Sequence, residues 1–225
     1  MASTAVLFDL ANQKDLRPSP FCWRAKLALK HKGIRFEARA TRYLDIRSLG
    51  DGSFKTLPVM QHDGKWIGGS MNIADYLESQ YADRDPLFPE DPARLYAGFI
   101  ETWVDSVVQP QIFPMVAYDI WTGLFKVDQQ YFRETRELRL GTKLEDARQS
   151  HVTQIPMLRK SLEPVRRILK QRPYLCGKAP AFADYIVFGA LKWPRLVSSA
   201  VLIEPGDPIE DWYLRLDGMA GFSCS

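Results

Sequence analysis

The run Ser19-Pro20-Phe21-Cys22-Trp23-Arg24 sets one hydroxyl and one thiol three residues apart at the start of a helical stretch. A short apolar run at 6–10 reads as a strand, and residues 21–32 as the helix that follows it. Gly33 supplies the stop, since a residue without Cβ takes the left-handed conformation readily. Ser19 is then expected at the N-cap and Pro20 at the first helical position, where a missing N–H costs nothing. Unpaired backbone N–H groups and the positive end of the helix dipole meet at such a point, which favours an anion. The anion we expect there is a bound thiolate.

Capping alone explains a Ser-Pro pair, so two further elements carry the argument. In Lys55-Thr56-Leu57-Pro58-Val59 a proline stands at the entry to a strand, which fits a cis Leu57-Pro58 bond and a strand edge turned toward a ligand. The backbone beside such a proline can pair with an extended peptide. Gly68-Gly69-Ser70 then opens another helix, whose N-terminus suits a carboxylate.

These elements need a scaffold, and the first eighty residues supply alternating strand and helix signals. Residues 35–40 alternate polar and apolar, 56–61 and 65–67 are short strand-like runs, and His62-Asp63-Gly64 between them is a hairpin turn. A helix from Ser70 carries Met71, Ile73, Ala74 and Leu77 at helical spacing. The order is thioredoxin-like. Residues 81–92 hold three prolines and little periodicity, and read as a linker. Helical patterns follow at 93–124, 128–140, 143–170, 182–200 and 207–217, with Pro110, Pro114, Pro156 and Pro164 expected to kink or split the long ones. The expected division is a domain over 1–82, a linker over 83–92 and an all-helical domain over 93–225.

Composition narrows the function classes. At 46% hydrophobic and 25% charged the 225 residues suit an ordinary globular protein, and a net charge of +3 with interspersed signs argues against nucleic acid. No apolar run reaches the roughly 18 residues of a membrane span. The opening Met-Ala-Ser-Thr leads straight into a strand, so no secretion signal is expected. Cys22, Cys176 and Cys224 are too few for a disulfide framework, which fits the cytoplasm. His31, His62 and His151 lack metal-ligand spacing, so no metal is expected. Arg166, Arg167 and Lys170 read as a solvated helix face.

The chain resembles the glutathione S-transferase family over nearly its whole length. The resemblance rests on Ser19-Pro20-Phe21-Cys22-Trp23-Arg24, Leu57-Pro58-Val59, Gly69-Ser70 and Pro180-Ala181-Phe182-Ala183-Asp184-Tyr185. Residues 11–18, 27–33, 143–146 and 182–189 are similar to the bacterial lignin β-etherases and fungal etherase-like members. The resemblance implies an N-terminal thioredoxin-like α/β domain, an all-α C-terminal domain and a homodimer. It implies glutathione as co-substrate, with Ser19 beside its sulfur and stabilising the thiolate. Leu57, set by Pro58, would hold the cysteinyl backbone, and Ser70 with the helix behind it the γ-glutamyl carboxylate. Arg42, Arg47 and Lys55 are the unranked candidates for the glycyl carboxylate. Gly69 stands where relatives often carry an acidic residue facing the ammonium. Ala181 replaces a Ser or Thr N-cap, leaving Asp184 half of a capping box, a folding role.

The expected reaction is glutathione transfer to a hydrophobic, aromatic electrophile, with cleavage of a β-aryl ether as one form of it. Trp103, Phe113, Tyr118, Trp121 and Phe125 form an aromatic stripe that would line the cleft, closed by Trp193. Such a stripe also serves as plain core. Two rivals stand beside this reading: a glutathione-dependent thiol reductase using Cys22, whose Ser19-x-x-Cys22 spacing resembles a redox pair, and a non-catalytic carrier of aromatic ligands.

Overall fold

In a computed structural model, residues 4–221 are described. Four strands, β1 (Ala5–Leu10), β2 (Phe36–Thr41), β3 (Val59–His62) and β4 (Lys65–Gly68), form one sheet in the order β2-β1-β3-β4. β1 and β2 run parallel; β3 is antiparallel to both β1 and β4. The β3–β4 turn places Asp63 at φ 48° and Gly64 at φ 75°, the two positive angles a tight hairpin of this hand demands.

Alternation along β1 builds two apolar layers. Ala5 and Leu7 pack with Met60 against α1 (Pro20–His31) and α2 (Ser70–Gln80), whereas Phe8 and Leu10 join Cys22, Ile46, Leu57 and Val59 in a second cluster. Helix α1 ends as the sequence predicts. Gly33 takes φ 59°, its N–H bonds to the Lys30 carbonyl, and the Ile34 N–H reaches back to the Leu29 carbonyl at 2.9 Å. Ile34 and Leu29 are both buried, completing a Schellman stop with its apolar contact. The topology is that of an N-terminal thioredoxin-like unit.

The rest is helical. α3 (Ala93–Trp103) passes through one π turn (Val104–Val108) into α4 (Gln109–Gly123). Pro110 has no N–H to return to the preceding turn, and the chain widens there rather than breaking. α5 (Lys126–Leu140) stops at Gly141, φ 69°. The long pattern expected at 143–170 is divided into α6 (Leu144–Ala147), a 3₁₀ turn (Arg148–Ser150), α7 (His151–Ser161) and α8 (Glu163–Leu169). Pro164 lies in the first turn of α8, where proline is tolerated, whereas Pro156 lies inside α7 without ending it. α9 (Phe182–Val197) is buried from Phe182 through Pro194, and α10 (Pro208–Ala220) packs against α8.

The two units meet where α1 crosses α9. Trp23 packs edge-on to Phe188, and His31 Nδ1 lies 2.6 Å from the Tyr185 hydroxyl. The buried Arg24 guanidinium reaches Glu101 at 3.1 Å and Asp105 at 2.6 Å. Asp184 accepts N–H bonds from Ala181 at 3.1 Å, Leu175 at 2.8 Å and the Trp212 indole at 2.8 Å. It pins α9 to the segment before it and to α10.

Candidate active site

Ser19 has extended backbone angles and caps α1, its Oγ accepting the Cys22 N–H at 3.2 Å. Pro20 follows in the first turn. The hydroxyl hydrogen remains available to an acceptor, because the cap uses only a lone pair. Ser19 lies on a cavity of about 650 Å³ between the two units. One wall comes from Leu10, Pro18 to Phe21, Arg47, Lys55, Thr56 and Leu57, the other from α4, α5 and α9.

The Leu57-Pro58 bond is cis. Leu57 lines the cavity, whereas Pro58, Gly69 and Ser70 do not; the Gly69 N–H donates to the Pro58 carbonyl at 2.9 Å. Gly69 takes φ 88°, a conformation side chains rarely adopt, so the turn into α2 favours glycine where an acidic residue was expected of relatives. Ser70 is buried at the start of α2.

The three basic candidates separate. Arg47 and Lys55 line the cavity. Arg42 does not: its guanidinium is bound to the Asp45 carboxylate at 2.7 and 2.8 Å.

The aromatic stripe also divides. Phe113 and Trp193 line the cavity and stack with centroids 6.3 Å apart. Tyr118 and Trp121 turn away, packing on each other at 5.6 Å beneath Arg148 and Arg133. The Trp121 indole donates to the Gln129 carbonyl at 3.1 Å. Trp103 is half-buried against the apolar core, and Phe125 caps α5 beside Arg42. Helical phase is the reason: Gln109, Phe113 and Ile120 share the cavity-facing side of α4, and Tyr118 and Trp121 lie round the helix from it.

Cys22 is a packing residue. It is fully buried in the cluster with Phe8, Leu10 and Val59, and burial, with the nearby Asp9 charge, pushes its thiol far above the ordinary range. The thiolate needed for disulfide exchange is therefore disfavoured, against the reductase reading. Cys176 is half-buried and raised by burial to about 12; Cys224 lies outside the described residues.

His31 and His62 sit against tyrosine hydroxyls, and no cluster of three metal-ligating side chains occurs among the described residues. Arg166 bridges Asp207 and Glu163, a structural tie rather than a solvated face, and Arg167 adds to Glu163. No helix among the described residues is long and apolar enough to cross a membrane. Sequence reasoning missed Tyr43, Gln109, Tyr131, Arg136 and Arg139, all on the cavity wall. The i, i+3 spacing of Arg136 and Arg139 in a polar helix was the only signal available, and it is equally that of a solvated face.

Residues 18–80 match the model of the glutathione S-transferase N-terminal domain, and residues 96–201 that of its C-terminal domain. Glutathione S-transferase U22 of Arabidopsis thaliana is 30% identical over 183 residues, spanning 80% of this chain and 71% of that protein. Glutathione transferase GSTFuA3 of Phanerochaete chrysosporium superposes with a TM-score of 0.87 at 24% identity, over 97% of this chain and 98% of the other. A glutathione S-transferase of Ceriporiopsis subvermispora, solved in complex with glutathione, gives 0.82 at 21% identity over 99% of both chains. On this match through both domains, the chain belongs to the glutathione S-transferase family.

Proposed function

We propose that this protein is a glutathione transferase in which Ser19 holds the glutathione sulfur as a thiolate for attack on an aromatic electrophile. The observation that carries the reading is the Ser19 hydroxyl, capping α1 on the wall of the cavity with cis Leu57-Pro58. Glutathione lies along the thioredoxin-like side. The Leu57 backbone pairs with its cysteinyl unit, Arg47 and Lys55 face its glycyl carboxylate, and the start of α2 at Ser70 takes the γ-glutamyl carboxylate.

The energetics suffice. Lowering a thiol pKa of about 8.5 by two units takes about 2.7 kcal/mol of preferential thiolate binding. A hydrogen bond to a charged group contributes about 1.5–3 kcal/mol and the helix start about 0.3–1 more. The thiol proton leaves to solvent, and sulfur then forms a bond to the electrophilic carbon. The leaving group departs with the bonding pair: a halide from an aryl halide, an aryloxide if the substrate is a β-aryl ether. The protein contributes position and ionisation.

Ultraviolet absorbance during glutathione titration across pH tests the reading. A thiolate band with a midpoint about two units below free glutathione, kept in Ser19→Thr and lost in Ser19→Gly, is the expected result. Saturable binding with no thiolate band would replace the transferase with a carrier.

A further inference from the structure

The cavity wall holds four cationic side chains, Arg47, Lys55, Arg136 and Arg139, and no carboxylate. None of the four forms an ion pair with another described residue. Elsewhere on α5 the opposite holds: Arg133, three residues before Arg136, is bound by both Glu137 and Glu145 at 2.7 Å. Arg136 instead donates to the neutral Thr135 hydroxyl.

The two pairs of cations stand on different walls. Arg47 and Lys55 belong to the thioredoxin-like side, where they suit the single glycyl carboxylate of glutathione. Arg136 and Arg139 come from α5, on the side of the aromatic slot. Arg139 lies 5.2 Å from the centre of the Phe113 ring, which stacks on Trp193, and Arg136 lies 5.0 Å from Phe132 and 5.6 Å from Tyr43. Both guanidiniums thus lie over aromatic rings of the cavity wall, and an aromatic ring entering beside Phe113 and Trp193 meets two cations whose forked donors match a carboxylate.

We infer that the second substrate is an aromatic electrophile bearing an anionic group, a carboxylate above all, with Arg136 and Arg139 holding that group while the reacting carbon faces Ser19. This specificity rests on the transferase reading above. A merely apolar pocket would not concentrate unpaired cations on the wall opposite the glutathione side.

The test compares 4-chloro-3-nitrobenzoate with 4-chloro-3-nitrobenzamide, which share the attacked carbon and differ in charge. In both, the thiolate forms the C–S bond and chloride leaves with the C–Cl pair. Each kcat/KM is divided by the uncatalysed rate with glutathione, which removes the intrinsic difference in reactivity. The wild type is expected to favour the benzoate by about tenfold or more, and Arg136→Gln/Arg139→Gln to bring the ratio close to one. Arg133→Gln, on the same helix, should leave the ratio where it was. A wild-type ratio near one, or a preference that the double variant keeps, overturns the inference while conjugation of the amide keeps the transferase reading. Should neither compound react, that reading fails. Calorimetric binding of 3-nitrobenzoate against 3-nitrobenzamide then decides the anion preference: tighter benzoate binding lost in the double variant supports it, equal binding overturns it.

Discussion

Gly189 of α9 lies against the backbone of Pro20, so close that a Cβ built at Gly189 would sit 2.4 Å from the Pro20 carbonyl oxygen. The glycine is required by close approach of two helices rather than by an unusual backbone angle. Because Pro20 follows Ser19, the helical domain is packed directly onto the capping turn. Gly189→Ala is therefore expected to cost about 1–3 kcal/mol, since the opposing atom is backbone and cannot swing aside. Urea denaturation reads the loss, and kcat/KM with 1-chloro-2,4-dinitrobenzene should fall alongside it. An alanine variant of unchanged stability would show that the contact is loose.

On the proposed function Ser19 both caps α1 and holds the thiolate, two roles that substitutions can separate. Ser19→Ala removes both cap and donor and is expected to lose about 1 kcal/mol of stability, whereas Ser19→Gly should lose only about a few tenths. Conjugation should be lost equally in both. Activity that instead tracked stability across the pair would reduce Ser19 to a cap.

Cys22 should behave as an inert core residue. Iodoacetamide at pH 8 is expected to spare it in the native protein and to label it after unfolding in urea, as mapped by mass spectrometry. Cys22→Ala should retain glutathione conjugation. Labelling of native Cys22 within minutes would return the reductase to consideration.

Asp184 predicts a pH dependence of stability. Burial raises its carboxyl from the usual 3.8 to about 6, with the N–H bonds from Leu175, Trp212 and Ala181 opposing the rise. The folded state then binds more protons than the unfolded one between about pH 4 and 6, so this group's contribution to stability falls as pH rises through that window and is level above it. Asp184→Asn lacks the titration. The stability of the wild type relative to this variant should decline by about 2–3 kcal/mol from pH 4 to pH 7 in paired urea melts. A constant difference would mean that the three donors hold the carboxylate ionised throughout.

The N-terminal unit was legible because its signals are local. Ser19, Pro20 and Gly33 mark the two ends of α1, Asp63-Gly64 marks the hairpin, and Pro58 announced its cis bond. Ser19, Leu57, Arg47, Lys55, Phe113 and Trp193, all singled out from the sequence, line one cavity. The far wall was harder. The π turn at Val104–Val108 holds an extra residue and shifts the phase of α4 by about 100° relative to a continuous α-helix. A stripe counted from Trp103 therefore does not carry its face into α4, and within α4 itself Tyr118 and Trp121 lie about 140° and 80° round the helix from Phe113, outside the cavity. On α5, exposed Arg139 and half-buried Arg136 carry no apolar periodicity, so nothing in the sequence separates them from Arg133, which is bound by glutamates.

The cavity wall is drawn from two separate stretches of chain, one ending at Leu57 and the other beginning at Gln109. The groups assigned to sulfur all lie in the first, and the slot for the second substrate is mostly built by the second. Change in α4, α5 or α9 can thus alter what is conjugated without disturbing how the thiol is ionised. Exchange of the segment after residue 93 between family members is a recombination that should swap substrate preference while leaving the thiolate midpoint in place, provided that glycine at 189 travels with it.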